Sequence, residues 1–314
     1  MAATAEVPAK AEVRFLQPTH FSQVEIRFDQ EYGVIWGLMD PKPRSTFNTQ
    51  LLSQLRGYID SITHPGGYVL LKGKEHRINY AVIASKVPGI FNLGGDLVLF
   101  RDAIARDDRA LLLSYGEQCI DNLYPWSRNC ELPLTTIALV QGDALGGGFE
   151  CALASSVLIA EESSRMGFPE IIFNLFPGMG AYSFLLRKVG RRVTEELITS
   201  GNTYTARQLY EMGVVDVLAP DGAGEAALYG FIRKHAKSAN GRRAIEQARQ
   251  EISPVTREEL IRIVGVWADA ALMLTDRDIR MMDRLVRAQN KALEADEEVR
   301  IAQTATVTLI QRAI

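Results

Sequence analysis

The chain has 314 residues, enough for one large domain or two smaller ones. Apolar residues make up 47% and charged residues 23%, which excludes a chain disordered throughout, and three cysteines are too few for a disulfide scaffold. Lys plus Arg number 35 against 38 for Asp plus Glu, a net charge of -3, where a nucleic-acid binder would show a basic excess. Residues 1–20 mix alanine with Glu6, Pro8, Lys10, Glu12 and Arg14; they lack periodicity and any apolar stretch of signal-peptide length, so they read as a flexible tail. From Val24 the pattern alternates through Ile26 and Phe28, turns at Gly33, and resumes at Val34, Trp36 and Leu38, which predicts a hairpin. Phe47 to Ile62 carries Leu51, Leu52, Leu55, Tyr58 and Ile59 at helical spacing, and His64-Pro65-Gly66-Gly67 ends that helix. Short apolar runs at Tyr68–Leu71, Tyr80–Ala84, Thr136–Val140 and Val157–Ala160 read as buried strands with helices between several of them.

Strands alternating with helices predict an α/β layered fold. Around Ile252-Ser253-Pro254 the strand signals cease, and Trp267, Ala271, Leu274, Met281, Met282 and Leu285 share an apolar face of the helices beyond. The expected organisation is a tail at 1–20, an α/β core at 21–250 and a helical region at 251–314. Cys119, Cys130 and Cys151 are odd in number without C-x-x-C spacing, which fits a reducing compartment and speaks against structural zinc. Apolar runs stop well short of about 18 residues, so no membrane span is expected and the chain reads as cytoplasmic.

The densest local signal runs from Val140 to Glu150, where a strand enters Gly146-Gly147-Gly148 and Cys151-Ala152-Leu153-Ala154 continues as helix. Glycines let backbone approach a ligand, and N–H groups at a helix start are unpaired and partly positive, which suits an oxyanion. No Lys-Ser or Lys-Thr follows, so this is not a P-loop, and Cys151 breaks the G-x-G-x-x-G spacing. A tight strand-to-helix crossover would use the same three glycines. A second segment, Phe91-Asn92-Leu93-Gly94-Gly95-Asp96-Leu97, also follows a strand, so each segment can give one N–H to a single oxyanion. Glu150 adjoins the first segment and Glu170 stands twenty residues later after Pro169, a place that a helix dipole also favours.

In chain order these are Phe-x-x-Gly-Gly-Asp, Gly-Gly-Gly-Phe-Glu, and Phe-Pro-Glu separated by six residues from Pro-Gly-x-Gly at 177–180. The series resembles the crotonase (enoyl-CoA hydratase/isomerase) superfamily over roughly residues 24–220. The resemblance implies a spiral of ββα turns with a helical C-terminal region, assembled as a homotrimer or a pair of trimers. It implies an oxyanion hole from the Gly95 and Gly147 N–H groups and catalytic carboxylates at Glu150 and Glu170, whose joint presence favours hydration or dehydration. Phe91–Leu97 and Phe168–Gly180 further resemble the diffusible signal factor synthases, with Gly95 where the common pattern has alanine. That narrower resemblance implies dehydration of a 3-hydroxyacyl thioester on acyl carrier protein, then hydrolysis to a cis-2-unsaturated fatty acid used in quorum sensing. Glu170 is expected as the C2 base and Glu150 as acid or water-holder. Leu93, Gly94, Gly146, Gly178, Met179, Trp267, Met281 and Leu285 are expected to bind the acyl group, with Trp267 and Leu285 closing its far end. No metal and no cofactor beyond the thioester of acyl carrier protein or CoA is expected.

The residues also speak to the alternatives. His20, His64, His76 and His235 lie outside the glycine motifs and no G-x-S-x-G elbow occurs, which disfavours a serine or cysteine hydrolase. Cys151 reads as a small packed residue, and Asp96 and Asp143 as loop caps. An apolar wall is expected from Leu111, Leu112, Leu113, Tyr115, Ile120, Leu123 and Tyr124. Lys72, Lys74, Lys86, Arg187, Lys188, Arg191 and Arg192 are candidates for docking an acidic carrier protein. A plain enoyl-CoA hydratase, and a mainly binding role toward a membrane sensor kinase, are the competing functions.

Overall fold

The computed structural model describes residues 21–287 and a two-residue strand, β1, at Arg14–Phe15. The rest of the expected tail and residues 288–314 of the expected helical region lie outside the described residues. Strands β2 (Val24–Asp29) and β3 (Val34–Met39) form the expected antiparallel hairpin, turning at Gly33 with φ +67°. Helix α1 (Thr49–Thr63) is capped by Asn48, whose side chain accepts the Leu51 N–H. The hairpin β4 (Tyr68–Leu71) and β5 (Lys74–Arg77) stands apart as a two-stranded sheet.

Three successive turns then repeat one plan. β6 (Tyr80–Ser85) and β7 (Gly89–Asn92) lead into α2 (Leu97–Ala105) and α3 (Arg109–Ser127). β8 (Thr135–Val140) and β9 (Gly142–Leu145) lead into α4 (Gly147–Leu153). β10 (Val157–Glu161) and β11 (Arg165–Gly167) lead through a 3-10 turn at Pro169–Phe173 into α5 (Ala181–Thr199). The first strand of each turn joins a seven-stranded sheet and the second joins a four-stranded one. This is the expected spiral of ββα turns. It closes with β12 (Thr203–Thr205), α6 (Ala206–Glu211) and β13 (Val217–Ala219), after which α7 (Gly224–Ala236), α8 (Ala239–Ile252), α9 (Arg257–Leu272) and a helix at 276–287 follow.

The large sheet is packed on both faces, which is why its strands are continuous apolar runs. Ile35, Ala81, Ile83, Ala138, Val140 and Leu158 point into the main core, whereas Val34, Trp36, Val82, Ile137, Leu139 and Ile159 meet Leu228 and Ile232 of α7. Trp267, Ala271 and Met282 are buried in the main core, with Leu274, Met281 and Leu285 packed against it, so the predicted C-terminal face is real.

Candidate active site

In the four-stranded sheet β9 lies between β7 and β11, and all three run parallel. Their C-terminal ends therefore stand side by side, and the three motifs are the residues that directly follow them. Gly94-Gly95 leaves β7, Gly146-Gly147 leaves β9, and Phe168-Pro169-Glu170 leaves β11.

The loop after β7 is held from several sides. The Gly94 N–H donates to Asn92 Oδ1 at 2.8 Å, and the Gly94 carbonyl accepts the Phe47 N–H at 2.8 Å. The Asp96 N–H donates to Tyr115 Oη at 3.3 Å, and that hydroxyl donates to the Phe47 carbonyl at 2.7 Å. Gly94 has φ +99°, and a Cβ there would sit 2.9 Å from the Leu145 carbonyl oxygen and 3.1 Å from the Gly147 nitrogen. Across the gap, Gly147 is the first residue of α4, so its N–H has no acceptor within the helix. A Cβ on Gly147 would lie 3.5 Å from the Gly95 nitrogen. The two N–H groups thus stand close together, and Gly95 and Gly147 line one cavity.

That cavity, of about 680 Å³ with its opening included, is walled mainly by apolar side chains and contains Glu150 and Glu170. Glu150, on α4, is buried, and its Oε1 accepts the Met179 N–H at 2.8 Å and the Ala181 N–H, at the start of α5, at 3.0 Å. Burial pushes its carboxyl up to about 7 against those two donors, which favour the ionised form. Glu170 is pushed up to about 8, first by burial and then by the nearby charge of Glu150. Its Oε2 is covered and has no hydrogen-bond partner among the described residues. Phe149 stacks on Phe168 at 4.9 Å, tying α4 to the end of β11 and so one carboxylate to the other. A side chain on Gly146, where φ is +51°, would run into Glu170 Oε1.

Gly178 and Met179 line the cavity, as does Trp267, whose ring occupies the space of the missing Gly178 Cβ. Trp267 meets Phe100 edge-on at 5.0 Å, and a Cβ on Gly95 would lie 2.6 Å from that Phe100 ring. Trp267 therefore stands beside the Gly94-Gly95 turn and not at a far end. Met281 and Leu285 pack on the core at 276–287 and are not among the lining residues. Leu93, Gly94 and Gly146 shape the two turns without lining the cavity. Of the predicted apolar wall, Tyr115 and Leu123 line the cavity, whereas Leu112 and Ile120 are buried in the core.

Sequence reasoning missed Phe47, Leu52 and Leu55 at the cavity, and Asn122 on α3. The available signal was the 115, 119, 122, 123 spacing, one face of a helix with an asparagine in it. Cys119 and Cys151 also line the cavity, but burial pushes both thiols up, leaving them protonated and weakly nucleophilic. His64, His76 and His235 are not among the lining residues, and His20 lies outside the described residues. Asp96 caps α2 through the Val98 and Leu99 N–H groups.

Among known proteins, the family model for enoyl-CoA hydratase/isomerase matches residues 67–266. The "Probable enoyl-CoA hydratase 2, mitochondrial" of Arabidopsis thaliana is 30% identical over 211 residues, covering 67% of this chain and 64% of that protein. The "Probable enoyl-CoA hydratase" of Bacillus subtilis strain 168 is 27% identical over 183 residues, 58% of this chain and 64% of that protein. The chain thus spans just under two thirds of the length of these curated relatives. Among solved structures, human mitochondrial delta3-delta2-enoyl-CoA isomerase superposes with a TM-score of 0.69 at 16% identity, over 86% of this chain and 99% of that one. Pseudomonas aeruginosa DspI superposes with a TM-score of 0.63 at 22% identity, over 76% of this chain and 86% of that one. With well over half of its length under the family model and the family's fold throughout the described core, the chain belongs to the enoyl-CoA hydratase/isomerase family.

Proposed function

We propose that this chain interconverts 3-hydroxyacyl and 2-enoyl thioesters, and that it goes on to hydrolyse the enoyl thioester to a free cis-2-unsaturated acid. The observation that carries the first part is one apolar cavity holding two carboxyls with raised pKa beside two neighbouring glycine N–H groups. Removing a proton from C2 of a thioester builds charge on the carbonyl oxygen, and two fixed N–H donors stabilise it. The carboxyls share one proton near neutral pH, so they titrate as a pair. With the proton on Glu170 and Glu150 ionised, Glu150 takes a proton from water as it adds to C3 while Glu170 protonates C2. With the proton on Glu150 instead, Glu170 removes the C2 proton and Glu150 protonates the departing hydroxyl, which is dehydration.

The hydrolysis step is supported by the resemblance of Phe91–Leu97 and Phe168–Gly180 to signal-factor synthases, and by chemistry. The same N–H pair suits the oxyanion of a tetrahedral intermediate, with a carboxylate-activated water as nucleophile. The names of the Arabidopsis and Bacillus relatives favour the simpler reading, reversible hydration of an enoyl-CoA without release of acid. Incubation with 3-hydroxyacyl thioesters of acyl carrier protein and of CoA separates the two. Mass spectrometry should find enoyl thioester and free acid. Enoyl thioester alone refutes the hydrolytic step, and neither product refutes the reaction as a whole. Assembly as a trimer or hexamer belongs to the same reading, and sedimentation analysis tests it.

A further inference from the structure

Asn122 is the unexplained polar residue of the cavity. It is 8% exposed and lies on α3, on the same face as Tyr115 and Cys119. Its Nδ2 donates to the Leu52 carbonyl at 3.2 Å and to the Gln118 carbonyl at 2.9 Å. Those two bonds fix the amide's orientation, because turning it over would set oxygen against two carbonyl oxygens. Its Oδ1 is then left covered with no hydrogen-bond partner among the described residues. Glu170 Oε2 is also unpartnered in this cavity, but that carboxyl has a proton to hold. An amide oxygen has none, and Leu52, Leu55 and Leu123, which line the same cavity, offer no side-chain donor.

We propose that Asn122 Oδ1 is a second recognition point, accepting a hydrogen bond from a hydroxyl carried partway along the acyl chain of the substrate. This rests on the acyl-thioester reading above and names the substrate class more closely. Tyr115 Oη braces the oxyanion turn at Asp96, and Asn122 is seven residues further along α3, about 10 Å, which sets the hydroxyl at roughly the sixth to ninth carbon. A site built to bond a hydroxyl rejects the chain that lacks it, because its own polar atom is then left buried and unpaired.

The test uses ten-carbon 2-enoyl-CoA thioesters, plain and with one hydroxyl at successive positions from the sixth carbon outward. One positional isomer should exceed the plain chain in kcat/KM by about tenfold or more. Asn122→Leu should bring that ratio to one or below, a change that loss of the α1–α3 tie alone would not produce. No preferred isomer in the wild-type protein, or a preference that survives Asn122→Leu, overturns the proposal. The wild-type series decides even where the variant fails to fold. Turnover of every thioester without discrimination removes the Asn122 site and leaves the reaction standing. Should none turn over, the reaction fails instead, and calorimetric binding of the free hydroxylated and plain acids makes the same comparison.

Discussion

Glu150 and Glu170 are both carboxyls that burial makes reluctant to ionise, yet they are held differently. Two backbone N–H groups support the Glu150 anion, whereas Glu170 Oε2 has no partner among the described residues. The shared proton therefore rests mainly on Glu170, and the proposed reaction requires the singly protonated pair. kcat/KM should follow a bell with its maximum between the values of about 7 and about 8, falling on the acid side as Glu150 is protonated and on the alkaline side as Glu170 loses its proton. A pH–rate profile checks this; a single descending limb would break the pairing. Glu150→Gln and Glu170→Gln should each lower turnover by about 10²–10⁴-fold, since glutamine keeps the shape and loses the proton chemistry. Glu170→Gln carries a second expectation. A carboxyl with a higher pKa in the fold than the ordinary 4.5 holds its proton more tightly when folded, so its stabilising effect is full below 4.5 and lost as pH rises through about 8. The Tm of Glu170→Gln should therefore gain on the wild type as pH rises from 5 to 9, whereas a structural defect would lower it at every pH.

At the scale of elements, β2 and β3 were legible by their alternation, while Tyr68–Leu71, which read as a buried strand, is β4 of the separate two-stranded sheet and leaves Tyr68 and Leu70 exposed. β6, β8 and β10 read as apolar runs because helices cover one side of the large sheet and the main core the other. β7, β9 and β11 escaped notice because they are three or four residues long and carry Gly89, Gly142 and Gly167. Gly142 and Gly167 answer to close backbone approach, where a Cβ would strike Gly89 or the Asn202 carbonyl, and Gly89 answers to its φ of +69°; neither demand leaves a periodicity. The motifs after these strands were legible one at a time, but that β9 lies between the other two, and so brings them together, was not. Tyr115 shows the same limit. Its place in an apolar stripe was readable, while its hydroxyl bridging Asp96 and Phe47, far from it in sequence, was not. Tyr115→Phe leaves both backbone groups without that bridge and should cost about 1–2 kcal/mol of stability. Because the hydroxyl positions the Gly95 turn, kcat should fall about tenfold with KM little changed. Steady-state kinetics and a thermal melt check the pair of effects; an unchanged kcat would mean that Asn92 and Gly94 hold the turn alone.

Across the whole molecule, α9 closes over the site through Trp267 and shares the main core with the helix at 276–287. Arg187 of α5 bonds the Ser253 and Pro254 carbonyls and pairs with Glu259 of α9, fastening α9 in place. Arg187 is thus occupied, as are Lys86 with Glu25, Lys188 with Asp216 and Arg191 with Glu195, which weakens these residues as a docking surface for an acidic carrier. The same closure revises the role expected of Trp267. Its ring lies against Gly178 and Phe100, and Phe100 lies against Gly95, so it walls the Gly95 end of the cavity. Leu52, Leu55 and Leu123 form the wall between α1 and α3 that an acyl tail would meet. Trp267→Ala should accordingly cost about 3–5 kcal/mol of stability and depress turnover on all chain lengths alike. Leu123→Trp should instead shorten the accepted chain. Each methylene excluded is worth about 0.8 kcal/mol, so losing room for two shifts preference by about tenfold. Values of kcat/KM across a series of enoyl thioesters, with the Tm of each variant, separate these effects. A Trp267→Ala variant that gained activity on longer chains would put the tail against α9, and the chain-length wall would then belong to the C-terminal helices.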